Sequence, residues 1–231
     1  MRISAVILAA GSGRRMERGE NKAFLPIAGS PLLSHALRAF SQSPRISEIV
    51  LVVRACEEDR IRALFPNGLP PVTIVPGGEH RRDSAIAGVA AAAGQIVLIH
   101  DGARPFPSVE LIERVVDGAI QHGACIPVLP VVDTVRPTKD DGFLSDRLLD
   151  RSRLTRAQTP QGFETELIRR ALVLVPPDVP DDAAAVLALG GAVWTVPGEP
   201  TNLKVTAPAD LPLAEAIAER LRLYRQKRHA A

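Results

Sequence analysis

The chain has 231 residues, 46% of them hydrophobic and 23% charged, with a formal net charge of +2. That length suits one large α/β domain better than two small ones, and the charge is too small to argue for a nucleic-acid partner or an anionic membrane surface. Aromatic residues make up only 3%, so the core must be built from Val, Ile, Leu and Ala.

The chain reads as strand, loop, helix, repeated. Ile3–Leu8 is a short apolar strand, and residues 31–40 follow with apolar positions at helical spacing. Glu48–Val53 is a second strand and 57–65 a helix. Residues 72–75 form a third strand, stopped by Pro76 and two glycines. An Ala-rich helix spans 83–93, with Asp83 or Ser84 as its N-cap. A fourth strand covers 95–100, a helix capped by Ser108 covers 108–121, and a fifth strand covers 124–129. Near-continuous apolar strands alternating with helices predict a mostly parallel, twisted, Rossmann-like sheet flanked by helices on both faces. In such sheets ligands sit beyond the carboxyl ends of the strands, which points to 9–22, 77–83 and 101–105.

The alternation then breaks. Residues 131–136 and 143–149 are extended runs separated by a turn-rich segment containing Asp141-Gly142, the pattern of a β-hairpin. A hairpin without a covering helix is unstable alone, so it is expected to project as an arm against a second subunit; the alternative is a long surface loop on a monomer. Helices are predicted at 164–175 and 181–189, a sixth strand at 192–196, and a terminal helix at 208–228. The basic cluster Arg220, Arg222, Arg225, Lys227 and Arg228 on that last helix reads as a solvated face.

Cys56 and Cys125 are far apart and show no metal-binding or disulfide spacing. The N-terminus lacks the layout of a signal peptide, and no stretch reaches the length of a membrane span. The cytoplasm is the expected compartment.

Several segments carry chemistry. Ala9-Ala10-Gly11-Ser12-Gly13-Arg14-Arg15-Met16 follows the first strand, and its glycines let backbone N–H groups cradle phosphates, with Lys22 close behind. It is not a Walker A loop, and Met16 breaks the dinucleotide G-x-G-x-x-G. Read alone, it fits a tight turn with solvated arginines equally well. Gly77-Gly78 permits close approach of a flat base. Asp101, in His100-Asp101-Gly102-Ala103-Arg104-Pro105, stands where a magnesium ligand belongs in a nucleotide enzyme, and one carboxylate is enough for that ion; a helix cap or an ion pair with Arg104 is the plainer reading. Lys204 suits a phosphate as a point charge. Asp150-Arg151 and Gln158-Thr159-Pro160-Gln161 read alone as polar loop.

Together these segments resemble one family. The ordered set Ala-Ala-Gly-x-Gly-Arg-Arg-Met, Lys-x-Phe-Leu, Gly-Gly-x-x-Arg-x-Asp-Ser, His-Asp-x-Ala-Arg-Pro, Asp-Thr, Gln-Thr-Pro-Gln and Asn-x-Lys-Val-Thr is similar to that of 2-C-methyl-D-erythritol 4-phosphate cytidylyltransferases, from Ala5 to about Asp210. The resemblance implies a nucleotidyltransferase fold, a homodimer with interlocking arms at about 131–153, a divalent cation such as Mg²⁺, and transfer of CMP from CTP to a sugar-alcohol phosphate in non-mevalonate isoprenoid synthesis. By position it implies Arg15 and Lys22 as transition-state stabilisers, and Arg151 and Lys204 as anchors of the acceptor phosphate. It also implies Asp101 as metal ligand and Ala9, Ala10, Gly11, Gly13, Gly78, Asp83, Ser84 and Ala103 as CTP contacts. Arg104, Thr134 and Thr159 complete the implied substrate contacts, Thr134 from the arm. One departure stands out. Pro180 occupies the place of a threonine that commonly contacts substrate in the family, and proline offers neither hydroxyl nor N–H; either the substrate site is slightly rearranged or a backbone carbonyl substitutes.

Three rivals are weighed. A ribitol 5-phosphate cytidylyltransferase shares the chemistry, but the Ala-Ala-Gly loop and Ala103 favour the methylerythritol type. A dinucleotide oxidoreductase is opposed by Met16 and by the absence of an acidic residue closing the second strand, where Val53 and Arg54 stand. A non-catalytic nucleotide-binding module is opposed by the combination of Arg15, Lys22, Asp101 and Lys204.

Overall fold

The computed structural model describes residues 1–11, 21–65 and 68–229, the last five of these as backbone only. Strand β1 is Ile3–Leu8. A small hairpin, β2 (Pro26–Ile27) and β3 (Ser30–Pro31), leads into helix α1, Leu32–Gln42. Then come β4 (Glu48–Val53), a short α2 (Glu58–Arg62), β5 (Val72–Pro76) and α3 (Arg81–Ala91). Strand β6 (Ile96–Asp101), α4 (Val109–His122) and β7 (Ala124–Pro130) continue the alternation. After the arm follow β8 (Thr155–Ala157), β9 (Gln161–Glu164), α5 (Thr165–Leu174), α6 (Asp182–Ala188), β10 (Trp194–Pro197) and α7 (Leu211–His229).

The main sheet runs β10-β7-β9-β6-β1-β4-β5, with β8 paired to β7. Strands β1, β4, β5 and β6 are mutually parallel, whereas β9 is antiparallel to both β6 and β7. Because side chains alternate across a strand, each apolar run serves two cores. Ile3, Ala5, Ile7, Ile49, Leu51 and Leu98 face α1 and α4, where Leu37, Phe40, Ile112 and Val115 cover them. Val6, Val50, Val52, Val97 and Ile99 face the other way, under Ala85, Val89, Ile168, Leu172 and Val186 of α3, α5 and α6. A sheet buried on both faces explains why its strands read as unbroken hydrophobic runs. A third cluster seats α7 through Ala214 and Ala218 on Ile27, Leu32, Phe106 and Val205.

Chain order and sheet order diverge at β1. The chain moves outward through β4 and β5, then returns to the other side of β1 for β6. The carboxyl ends of β1 and β6 therefore flank a topological switch point, where the diverging connections leave a crevice. At the far end of the sheet, Trp194 of the outermost strand stacks on His122 with ring centroids 4.2 Å apart.

Sequence periodicity missed the small β2–β3 hairpin and two strands of the main sheet, β8 and β9, the latter inserted in its middle. The arm also differs from the expected pair of strands. Asp141-Gly142 does make the turn, with Gly142 at φ +86° and Lys139 N–H donating to Phe143 O at 2.8 Å. Only one bridge, Thr138 to Leu144, closes it. Pro130 and Pro137 have no N–H to give a ladder, and the same chain covers neither leg, so Phe143 is 72% and Leu148 73% exposed.

Candidate active site

A cavity of about 650 Å³ opens at the switch point, lined by the end of β1, Lys22, the turn after β5, Asp101 to Ala103, and Lys204. Its walls depend on close backbone approach. A Cβ at Gly77 would lie 2.4 Å from Ala10 Cβ, and one at Gly78 would lie 2.4 Å from Asp83 Cβ, so side chains are excluded from both positions. Gly78 N–H donates to the buried Ser84 hydroxyl at 3.2 Å. This ties the turn to the first turns of α3.

The helix cap differs from expectation. His80, rather than Asp83 or Ser84, is the N-cap, and Asp83 at N3 accepts from His80 N–H at 3.1 Å in a capping box. That hydrogen bond and the neighbouring Arg82 hold the Asp83 carboxyl below the usual carboxylate range. Asp83 does not line the cavity; Glu79, four residues earlier, does.

Four charged side chains form the centre of the site. Asp101 is 9% exposed. Its Oδ1 accepts from Arg81 Nε at 3.2 Å, and its Oδ2 lies 2.7 Å from Lys204 Nζ. Arg81 also grips Asp182 with both terminal nitrogens, at 2.9 and 2.7 Å. Burial alone would raise the Asp101 carboxyl, but Arg81 and Lys204 override it and hold Asp101 well below the usual range. Burial would lower Arg81, and the carboxylates of Asp182 and Asp101 raise it instead. Two partly exposed cations thus balance two buried carboxylates.

Behind Asp101 lies a neutral layer. The Thr159 hydroxyl accepts from Asp101 N–H at 3.0 Å and lies 3.1 Å from His100 Nδ1. His100 Nε2 is 2.9 Å from the Arg104 carbonyl. The neutral tautomer with the proton on Nε2 satisfies both contacts, since Thr159 then donates to Nδ1. Burial drives the His100 pKa down to about 4; the hydrogen bond to the Arg104 carbonyl and the charge of Asp101 oppose the fall, and the Arg104 and Lys204 cations add to it. In the unfolded chain an ordinary histidine titrates near 6.5. Between those values only the unfolded state takes up a proton, so stability falls as pH drops from about 6.5 to about 4 and this contribution is flat below that. Across that window the loss amounts to about 3 kcal/mol. Urea unfolding of the metal-free protein across that window should show this loss. His100→Gln, which cannot take up the proton, should flatten the slope; parallel slopes would refute the assignment.

Of the residues singled out from sequence, Ala9, Ala10, Gly11, Lys22, Gly78, Ser84, Asp101, Ala103 and Lys204 line this one cavity. Lys22 Nζ lies 3.3 Å from the Val205 carbonyl. Arg15 and Gly13 lie outside the described residues. Arg104 turns away from the cavity, donating to the Asn202 carbonyl at 2.8 Å. Thr159 is 4% exposed with its hydroxyl committed internally, so it supports Asp101 from behind rather than facing a ligand. Thr134 and Arg151 lie on the arm, where Arg151 donates to the Val132 carbonyl at 2.8 Å, and neither lines the cavity of its own chain. Pro180 is exposed and absent from the lining; its neighbour Asp181 caps α6 by accepting from Ala184 N–H at 2.9 Å. Sequence reasoning gave Arg81 and Asp182 no role. Their signal was present, in the Arg of Gly-Gly-x-x-Arg and in the second Asp after Pro180.

Among the described residues no group of three or more His, Cys, Asp or Glu side chains could hold a metal ion. Magnesium needs no such cluster, because water and substrate phosphates complete its shell around one or two carboxylates. Asp101 fits that requirement by its place in the cavity wall. Lys204 sits on its Oδ2, so a cation bound there takes the place of that ammonium.

Residues 3–220 match the family described as IspD: 2-C-methyl-D-erythritol 4-phosphate cytidylyltransferase. The chain is 40% identical over 223 residues to the 2-C-methyl-D-erythritol 4-phosphate cytidylyltransferase of Geobacillus kaustophilus (strain HTA426), covering 94% of this chain and 97% of that protein. It is similar to the solved 4-diphosphocytidyl-2C-methyl-D-erythritol synthase from Anaerococcus prevotii DSM 20548, with a TM-score of 0.84 at 30% identity over 94% of this chain and 96% of that one. The solved 2-C-methyl-D-erythritol 4-phosphate cytidylyltransferase from Thermus thermophilus matches with a TM-score of 0.78 at 37% identity, over 95% of this chain and 100% of that one. The sheet with its switch-point cavity and the ordered motifs that line it agree with these matches: the chain belongs to the family of 2-C-methyl-D-erythritol 4-phosphate cytidylyltransferases.

Proposed function

We propose that this cavity performs its family's reaction, moving CMP from CTP to 2-C-methyl-D-erythritol 4-phosphate, and that it does so with magnesium, as a homodimer, in the cytoplasm. The observation that carries the reading is the convergence of Lys22, Asp101, Lys204 and the Gly78 turn on one cavity at the sheet's switch point. A phosphate oxygen of the acceptor attacks the α-phosphorus of CTP. The new P–O bond forms as the bond from the α-phosphorus to the bridging oxygen breaks, and pyrophosphate leaves with that electron pair. The attacking phosphate is already ionised, so no nucleophilic or general-base side chain is required. The protein's task is to align two anions and stabilise the charge that grows at phosphorus.

In this reading the backbone of Ala9, Ala10, Gly11 and Gly13, with Gly78, Ser84 and Ala103, holds the nucleotide, and Asp83 acts indirectly by setting the start of α3. Lys22 and Arg15 neutralise charge at the transferring group. Asp101 would hold the magnesium ion, which when bound supplies charge neutralisation on the triphosphate. Lys204 anchors the incoming phosphate, and Arg104 braces the loop that carries Lys204 through the Asn202 carbonyl. Arg151 and Thr134 reach a site only if an arm crosses to a partner. The exposed Val132, Phe143, Leu144 and Leu148 on that arm support such a crossing.

The test is pyrophosphate release with CTP, UTP and ATP against methylerythritol phosphate and ribitol 5-phosphate. CTP with methylerythritol phosphate should be fastest by at least about tenfold, a modest discrimination for one contact set. Faster turnover of ribitol phosphate would reassign the acceptor, and preference for ATP would remove the nucleotide assignment.

A further inference from the structure

At the end of β1 three successive carbonyls are each taken by a side chain, Asn21 or Arg54, that also belongs to the cavity wall. Asn21 Nδ2 donates to the Ala9 carbonyl at 2.8 Å. Arg54 donates to the Ala10 carbonyl from Nε at 3.4 Å and to the Gly11 carbonyl from Nη2 at 3.1 Å. Both side chains are tied to one carboxylate. Asn21 Nδ2 also donates to Glu57 Oε2 at 2.6 Å, and Arg54 Nη1 lies 3.7 Å from Glu57 Oε1. Glu57 is well shielded, its side chain 13% exposed, and it does not line the cavity.

In a trans peptide the carbonyl and the next N–H point in opposite directions. Fixing the Ala9 and Ala10 carbonyls on Asn21 and Arg54 therefore turns the N–H groups of Ala10 and Gly11 the opposite way, away from those two side chains. Ala9 N–H is spent on the Val52 carbonyl at 2.7 Å. The N–H groups of Ala10 and Gly11 meet no acceptor among the described residues. Among the described residues, a Cβ at Gly11 would meet nothing within 4 Å. The same Asn21 accepts from Ala23 N–H at 3.0 Å, capping the turn that begins with Lys22. One clamp thus sets the loop donors and the base of the lysine together.

We propose that Glu57, Arg54 and Asn21 are positioning residues for the nucleotide: gripping the carbonyls of Ala9 to Gly11 from one wall of the cavity, they aim the Ala10 and Gly11 N–H groups at acceptor atoms of the bound nucleotide. The proposal rests on the nucleotide reading of the cavity and adds to it the residues that orient the loop.

Glu57 gives a test in which the two accounts differ in sign. If Glu57 mattered only as a negative charge near an anion site, removing it would tighten CTP binding. As the anchor of the clamp, its removal weakens binding. Titration calorimetry of CTP should show Glu57→Ala weakened by about tenfold or more, the scale of one lost directed hydrogen bond to a charged ligand. Glu57→Gln keeps an acceptor for Asn21 and should stay within about threefold of the parent. KM for the acceptor should move little in either. Equal or tighter CTP binding in Glu57→Ala overturns the clamp, as does loss of the same size in Glu57→Gln. If thermal melting shows that Glu57→Ala is unfolded, Arg54→Lys decides: it keeps the charge but cannot span two carbonyls, so unchanged CTP affinity there overturns the proposal and weakened affinity supports it. Failure of the parent protein to bind CTP removes the nucleotide reading itself, a result distinct from failure of the clamp.

Discussion

Lys22→Ala is expected to lower turnover by about 100- to 1,000-fold at saturating CTP and acceptor, the usual cost of removing one donor to developing transition-state charge. Lys22 opens the short turn Lys22–Phe24, whose buried Ala23 and Asn21 cap fix its backbone. Its ammonium reaches the cavity while lying 3.3 Å from the Val205 carbonyl, beside the loop that carries Lys204. An exposed lysine at a rim would contribute mainly to encounter and lose its effect in salt. A half-buried lysine on an anchored turn meets the reacting phosphates at a fixed place, and an interaction that strengthens only as charge builds acts on kcat rather than on affinity. CTP affinity should therefore change little beside turnover, and the melting temperature should hold. Full turnover in a variant that still binds CTP would strip Lys22 of this role.

Asp182→Ala is expected to lower stability by about 3 kcal/mol, toward the small end of what breaking a buried ion pair costs. For a chain of this size that is a fall of roughly 6–12 °C in melting temperature. Asp182 is 1% exposed and meets both terminal nitrogens of Arg81, whose side chain is 30% exposed. Without it, Arg81 keeps only its Nε contact to Asp101, and water can rehydrate part of the guanidinium, which limits the loss. The effect should also reach the reaction. Arg81 holds one oxygen of Asp101 in place, so the variant's dependence on magnesium concentration should shift upward even at temperatures where it is fully folded. Unchanged melting and an unchanged magnesium dependence would show that the Arg81–Asp182 contact supports neither fold nor site.

The parallel half of the sheet was legible because burial on two faces forces Val, Ile and Leu into unbroken runs such as Glu48–Val53. Strand β9 was not, because Gln161-Gly162-Phe163-Glu164 holds a single large apolar residue. Gln161 is buried by specific bonds, accepting from Ala183 N–H and donating to Asp181 at 3.0 Å each, and Gly162 is required where a Cβ would stand 2.8 Å from Val115. Neither reason is local. The site divides along the same line. Residues that follow strands directly, such as Asp101, could be placed from sequence. The Arg81–Asp182 contact spans 101 positions, and no pattern within a window of helix or strand length encodes it. Asp83 was misread for a subtler reason: a cap is recognised by which backbone N–H its oxygen accepts from, and the helix begins two residues earlier than its apolar spacing suggests.

The chain's single tryptophan lies on the outermost strand, at the entry of β10 and stacked on His122. Three inter-strand steps, roughly 14 Å, separate that margin from β6, where Trp194 stands level with Leu98, three residues short of Asp101 and the crevice. Ultraviolet emission from this indole is therefore a gauge of the sheet's distant edge. Fluorescence reports that edge coming apart, while occupancy of the crevice passes beneath its notice.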